Sequence, residues 1–401
     1  MTVTRSGLAK RVLDLEESAT LAVAERAARM HAQGIDVVSF GAGEPDFDTP
    51  EHIKKAAIDA LHNGFTKYTA SSGILLLRTA IAKKFERENG LSYPVGQILV
   101  SNGSKHSIYN ALQALVDPKD EVLIPAPFWV SYPQMVKCAG GKPVIIDTGE
   151  TRGFKMRPEQ LKRAITRRSK VLILCSPSNP TGMVYTRDEL KALAEVVQDS
   201  DLYVISDEIY ERLIYGGAKH VSIARFGDMK ERTLVVNGVS KAFAMTGWRI
   251  GYMAGPKDVL EAAAKIQSHA TSNPNSIAQY AAYAALEGGP QSVDAMVVEY
   301  EKRRDVIVKA LRAIPGVTCV EPQGAFYVFP NVSSTFGKKA SGRPIRNSGE
   351  FAGVLLETAH VAVVPGGPFG SDEHVRLSYA TSMDRIKAGV ERIDAFIRSL
   401  R

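Results

Sequence analysis

The sequence predicts an α/β protein: a large domain with a mostly parallel sheet between helices, plus a smaller α+β domain. Three observations predict it. Short β-branched runs alternate with amphipathic helical stretches through the middle of the chain, a polar or aromatic cluster follows each run, and the pattern changes from about Gln291 onward.

The strand-like runs fall at 97–101, 121–124, 170–175, 202–206 and 233–237. Helical periodicity lies between most of them. Over 107–116 it sets Ile108, Ala111, Leu112, Leu115 and Val116 on one face, and over 187–197 it does so with Leu190, Leu193, Ala194 and Val197. Strands joined through helices run parallel and are buried on both faces, and ligands gather at their carboxyl ends. Further on, the sequence predicts a long charged helix over 293–314, strands over 324–329 and 361–364, and a closing helix carrying Ile386, Val390, Ile393 and Ile397. The expected division is a large domain over 48–290 and a small one built from 1–47 and 291–401. Gly337, Gly342 and Pro344 make 333–349 loop-like and a candidate mobile element.

Composition excludes several function classes. Of 401 residues, 45% are apolar and 23% charged, and no uninterrupted apolar run approaches the roughly 20 residues that span a bilayer, so no membrane partner is expected. The start of the chain has no apolar signal core, which makes the cytoplasm the expected compartment. Cys138, Cys175 and Cys319 are too few and too far apart for a disulfide scaffold. The net charge of +7 suits solubility, and the densest basic run, 162–170, has no interleaved aromatics, so no nucleic-acid partner is expected. Eight histidines without ligand spacing give no metal site.

The clusters after the strands carry the chemistry. Asn102-Gly103-Ser104-Lys105, Phe128-Trp129, Ser178-Asn179-Pro180-Thr181-Gly182, Asp207-Glu208-Ile209-Tyr210 and Ser240-Lys241 should all open on one rim. Lys241, after a serine at the end of an apolar strand and near Arg249, suggests Schiff-base chemistry with a pyridoxal cofactor. Such a pocket needs an amine, an acid for the pyridine nitrogen, donors for the phenolate oxygen and a phosphate cup. Lys241 offers the amine and Asp207 the acid. Tyr210 and Asn179 are candidate donors to the phenolate oxygen. Gly103, Ser104, Ser240 and Arg249 form the candidate cup, and Trp129 could stack on the ring.

On these residues the chain resembles the class I aminotransferases of fold type I, most closely the bacterial aspartate and prephenate aminotransferase branch. The resemblance covers nearly all of the chain. It also draws on the stretches Gly41-Ala42-Gly43-Glu44-Pro45-Asp46-Phe47, Lys67-Tyr68, Gly324-Ala325-Phe326-Tyr327 and Val375-Arg376-Leu377-Ser378-Tyr379. It implies a seven-stranded sheet, pyridoxal 5'-phosphate as cofactor and Lys241 as the Schiff-base lysine. Arg376 becomes the clamp on the substrate α-carboxylate, aided by the Gly43 backbone, with Asn179 and Trp129 also facing substrate. Tyr68 is expected to reach the phosphate of the neighbouring subunit, so the resemblance implies a homodimer. A dinucleotide reading of Gly41-Ala42-Gly43 fails, because the third glycine is missing and Glu44-Pro45 follows.

The distal end of the substrate decides the specificity. In enteric and animal aspartate enzymes a partner-subunit arginine holds the second carboxylate, but 267–279 contains no arginine here. In the branch that this chain resembles, a lysine in the cup turn and a threonine near the N-terminus do that work; Lys105 and Thr20 occupy those positions, with Ser18 close by. Dicarboxylic amino and 2-oxo acids are therefore the expected substrates: L-aspartate to 2-oxoglutarate by a ping-pong cycle, with prephenate as an additional acceptor. An aminotransferase for aromatic or neutral amino acids would share every cofactor residue. A metabolite-sensing aminotransferase-like domain would need an added DNA-binding module, for which the stretch before Gly41 leaves no room. One departure from the family is Leu75-Leu76, where a proline and an acid are common; it adds apolar surface near the expected subunit contact.

Overall fold

The computed structural model describes residues 7–401. Seven strands form the central sheet: β1 (Ile98–Ser101), β2 (Glu121–Ala126), β3 (Lys142–Asp147), β4 (Ser169–Cys175), β5 (Tyr203–Asp207), β6 (Thr233–Gly238) and β7 (Gly251–Ala254). Their order is β1-β7-β6-β5-β4-β2-β3, and β7 alone runs against its neighbours. Val122, Leu123, Val171, Leu172, Val204 and Val235 are completely buried, as a sheet covered on both faces requires. Five of these strands carry the β-branched runs that the sequence displays. The other two escaped that signal: β3 is a half-exposed edge strand, and β7 reads Gly-Tyr-Met-Ala, with no β-branched residue.

Helices cover the two faces with separate cores. The Ser104–Leu115 helix packs Ile108, Ala111 and Leu112 against Leu99, Val122 and Val236. On the other face the Arg187–Gln198 helix sets Leu190, Leu193, Ala194 and Val197 against Leu172, Leu174 and Val204. Its start is fixed by a capping box, in which Thr186 accepts from the Glu189 N–H while Glu189 accepts from the Thr186 N–H. Register then aligns the functional ends, since Cys175 pairs with Asp207 and Asp207 with Val236.

The rest of the chain packs beside this sandwich. Val38–Ser39 pairs parallel with Val361–Ala362, and Val364–Pro365, Val375–Ser378 and Tyr327–Val328 make a three-stranded antiparallel sheet. Helices Gln291–Arg312, Ser348–Ala359 and Met383–Ser399 enclose a core in which Val38 and Phe40 meet Phe326, Leu355, Leu377 and Ile386. Segments from both ends of the chain thus share one hydrophobic cluster.

Three expectations change in detail. The strand expected over 324–329 is regular only at Tyr327–Val328, because Ala325 sits at a φ of 58° and bends the chain. The run 361–364 splits into two strands with different partners. Within the loop-like 333–349, Lys339–Ala340 pairs with Arg343–Pro344 as a hairpin, and the fully buried Ile345 anchors it. Among the described residues the three cysteines are free, and no helix is long and apolar enough to cross a membrane.

Candidate active site

The carboxyl ends of the sheet strands and residues 41–44 enclose a cleft of about 570 Å³. Thr20, Gly43, Ser104, Lys105, Trp129, Asn179, Asp207, Tyr210, Ser240, Lys241, Arg249 and Arg376 all line it. Gly103 lies just behind the wall. Tyr68 stands outside, 92% exposed on this chain.

Lys241, three residues past β6, donates from Nζ to the Gly43 carbonyl at 2.5 Å. Burial pulls its pKa down to about 8, Glu44 opposes that shift, and the Arg376 and Arg249 cations reinforce it. A lysine so placed supplies neutral amine near physiological pH.

Asp207 ends β5 and is buried. Tyr132 donates to its Oδ2 at 2.6 Å, and the Ile209 N–H donates to Oδ1 at 3.3 Å. Burial lifts the carboxyl to about 6, against the pull of both hydrogen bonds. The acid is aimed into the cleft with no cation paired to it among the described ion pairs, which suits a protonated ring nitrogen.

Arg376 lies on the Val375–Ser378 strand and is 1% exposed. Its Nη1 donates to Asn179 Oδ1 at 3.0 Å and its Nη2 to the Gly41 carbonyl at 2.9 Å. Nε has no hydrogen-bond partner, and no carboxylate pairs with the guanidinium among the described residues. Burial lowers its pKa from the usual arginine range. A buried, unpaired guanidinium is expensive, and a substrate carboxylate is the group that relieves it. Tyr327 lies beneath it, its ring centroid 4.6 Å away, and exchanges a 2.8 Å hydrogen bond with the Tyr210 hydroxyl.

An anion cup forms where the Ser104–Leu115 helix begins. The Ser104 and Lys105 N–H groups have no acceptor among the described residues, as at any helix start. The Ser104 hydroxyl donates to the Asn237 carbonyl at 2.8 Å, so the backbone supplies the free donors at this turn. Gly103 has a φ of 85°, and a Cβ there would stand 2.3 Å from Arg249 Nη2, so only glycine lets the arginine lie across the turn. Arg249 itself is held by the Thr246 carbonyl at 2.8 Å.

At the outer end, Lys105 Nζ rests 4.7 Å from the Trp129 ring centroid, and burial lowers its pKa, with Arg249 adding to the shift. Thr20, at the start of the Ala19–Ala32 helix, has a buried hydroxyl without a partner, and Ser18 holds the N-cap position of that helix without a side-chain capping bond. Ser18, Thr20 and Lys105 all line the cleft, so an unsatisfied hydroxyl and a positive charge face it here.

Away from the cleft, ligand atoms of Glu208, Glu211 and His220 gather within 4.8 Å of one another. Protein groups already meet both carboxylates and the His220 Nε2, while His220 Nδ1 is buried without a partner. Lys84 ion-pairs with Glu211, His220 meets Glu208 at 2.8 Å, and the Ser206 and Ser222 hydroxyls donate to Glu208.

The family model for aminotransferase class I and II matches residues 35–393. The chain belongs to this family. It is 53% identical over 393 residues to the aspartate aminotransferase of Geobacillus stearothermophilus, covering 98% of this chain and 99% of that one. It is 48% identical over 394 residues to the aspartate/prephenate aminotransferase of Nitrosomonas europaea, covering 97% and 99%. The aspartate aminotransferase structure from Rhizobium meliloti superposes with a TM-score of 0.95 at 45% identity, covering 99% of this chain and all of that one. The Thermus thermophilus aspartate aminotransferase with maleate gives 0.91 at 46%, covering 98% and 100%.

Sequence reasoning gave no role in this aminotransferase to Tyr132, Tyr327 or Glu44, all of which line the cleft. Tyr132 follows Trp129 by three residues across the turn into the Ser131–Cys138 helix, a spacing that could have revealed it. Tyr327 stood in a quoted stretch, but nothing local shows that its hydroxyl meets one 117 positions away.

Proposed function

We propose that this aminotransferase moves the amino group of L-aspartate to 2-oxoglutarate, giving oxaloacetate and L-glutamate, and that prephenate is a further acceptor. Pyridoxal 5'-phosphate is the proposed cofactor, supplying an aldehyde conjugated to a protonated pyridine that accepts electrons from the Cα bond being broken. The residues present fit it: a depressed lysine amine, a buried carboxylate without a cation, and a glycine-floored anion cup. Gly103, Ser104, Ser240 and Arg249 form the proposed phosphate cup, with the Lys105 backbone N–H beside them, Asp207 is the partner of the ring nitrogen, and Asn179 and Tyr210 are those of the phenolate oxygen. Trp129 flanks the ring.

The observation that carries the reading is the pair of hydrogen bonds tying Arg376 and Lys241 to one backbone segment. Arg376 holds the Gly41 carbonyl and Lys241 that of Gly43. A carboxylate gripped by Arg376 therefore leaves its Cα near the lysine Nζ. Nζ takes the Cα proton of the donor, and the same atom returns a proton when the acceptor is aminated. Lys105, Thr20 and the nearby helix start favour a second carboxylate at the far end. The alternation of donor and acceptor in one cleft makes the cycle ping-pong.

We also propose the domain division at 48–290 against 1–47 with 291–401, and a homodimer in which Tyr68 reaches the partner's phosphate. The exposure of Tyr68 and of the nearby Leu75 and Leu76 supports that assembly. A panel of amino donors and oxo acids tests the function: aspartate with 2-oxoglutarate should lead, and a preference for aromatic or neutral donors would replace it. Borohydride reduction of the yellow protein should label Lys241, and an unlabelled Lys241 would remove it from the mechanism.

A further inference from the structure

We infer that Gln279 is a positioning residue for the neighbouring subunit's cofactor site, because it fixes the 65–74 arm that carries Tyr68. The inference rests on the reading of Tyr68 as a ligand of the partner's phosphate. The arm contains no helix or strand, so side chains beneath it set the direction of the exposed Tyr68 ring. The Ser276–Glu287 helix supplies them at i, i+3 and i+4, on one face. The Ser276 hydroxyl donates to the Phe65 carbonyl at 2.6 Å, and the Tyr280 ring centroid lies 4.2 Å from that of Phe65. Gln279, completely buried, accepts from the Ile74 N–H at 2.8 Å. Its Nε2 donates to the Thr69 hydroxyl at 3.2 Å and to the Pro274 carbonyl at 2.9 Å. Both amide protons and the amide oxygen are thus used, which leaves the side chain one orientation. Tyr68 stands beside Thr69 and three residues from Phe65, so the arm is ordered before any partner meets it, and the entropy of ordering it is not lost on assembly.

A second buried glutamine supplies a contrast. Gln267, also completely buried, donates to the Ser71 and Val100 carbonyls at 2.6 and 2.7 Å. Its Oε1 accepts from the Ser101 hydroxyl at 2.8 Å and from Asn110 Nδ2 at 3.1 Å. Ser101 ends β1, two residues before Gly103 of the anion cup. Gln267 therefore holds both the arm that a subunit lends and the turn into the cup that it keeps. The described side-chain bonds of Gln279 reach only the arm and Pro274.

Hybrid dimers separate the two, with Lys241→Ala in one subunit so that the absorbance of the cofactor–lysine imine reports the other subunit's site alone. In the trans arrangement Gln279→Met is carried by the Lys241→Ala subunit and faces a wild-type one; in the cis arrangement it is carried by the subunit that keeps Lys241. Titration of the apo hybrids with pyridoxal phosphate should show affinity lowered about tenfold in trans, the scale of one hydrogen bond to a charged group, and held within about twofold in cis. Thr69→Val breaks the same contact from a half-buried position and should act in trans in the same direction. Gln267→Met should weaken both arrangements. Tyr68→Phe in trans sets the full scale, and adding Gln279→Met to it should cost little more. Equal losses in cis and trans for Gln279→Met, or wild-type affinity in trans where Tyr68→Phe weakens it, would reduce Gln279 to packing. Wild-type affinity with Tyr68→Phe in trans would instead overturn the reading of Tyr68, and the inference with it.

Discussion

Arg376 donates to Asn179 Oδ1 at 3.0 Å, joining a strand near the C-terminus to the loop after β4 across 197 positions. The group expected to grip the substrate carboxylate and one expected to face the cofactor are therefore one hydrogen-bonded unit. Lysine keeps the charge of Arg376 but loses the planar fork and cannot hold Asn179, Gly41 and a carboxylate together. Arg376→Lys should lower kcat/KM about a hundredfold or more, two charge-assisted hydrogen bonds being at stake. Titration with a non-reacting dicarboxylate should show the same loss in binding.

Lys241 should make cofactor capture depend on pH. Only the neutral amine attacks an aldehyde, and burial holds this lysine at about 8. The rate at which apoprotein binds pyridoxal phosphate should rise as pH passes through about 8 and level above it, whereas a solvated lysine would keep rising toward about 10.4. Glu44 favours the charged amine, so Glu44→Gln should move the midpoint to lower pH. Stopped-flow absorbance from pH 6.5 to 10 measures both.

How much of this was legible in the sequence depends on where each signal resides. Strand β4, the Arg187–Gln198 helix and the clusters holding Asn179, Asp207 and Lys241 announce themselves locally, through β-branched runs, 3.6-residue periodicity and polar residues after a strand. β7 did not, because its pairing with β1 and β6 imposes the strand on a weak local sequence. Arg376 looks like any surface arginine until the fold buries it, so its role came from resemblance. The hydrogen-bond partners of Asp207 and Tyr210, namely Tyr132 and Tyr327, are tertiary contacts over 75 and 117 positions that no window reveals.

Lys105 and Thr20 should decide between two carboxylates and one. The ammonium sits over Trp129, and the Thr20 hydroxyl is buried without a partner, so a distal carboxylate satisfies both. Lys105→Ala should reduce kcat/KM for aspartate by at least tenfold and leave that for alanine within about threefold, since a lost charged contact costs about 1.5–3 kcal/mol. Thr20→Val should act in the same direction with a smaller effect. An unchanged aspartate-to-alanine ratio in the lysine variant would take Lys105 out of substrate recognition.

The charged cluster behind the site should govern acid stability. Residues 207 and 210 face the cleft, while Glu208 and Glu211, from the same turn, point into the cluster with Lys84, Asn89 and His220. Glu211 is buried, and burial alone would raise its pKa; Lys84, His220 and Asn89 overcome that and hold it at about 2. Its folded pKa thus lies below the ordinary carboxylate value, so its stabilisation is complete above about 4.3 and lost as pH falls toward 2. Lys84→Met leaves that carboxylate buried without its main cation and should cost about 3–5 kcal/mol. Urea denaturation at pH 7 measures the loss. Lys84→Met with Glu211→Leu removes both charges and should recover much of it, because an apolar pair carries no desolvation penalty. The double variant should also lose less stability between pH 4.3 and 3 than wild type, since the titrating group is gone. Recovery of stability together with weaker cofactor binding would separate the cluster's part in holding the 207–211 turn from its part in folding.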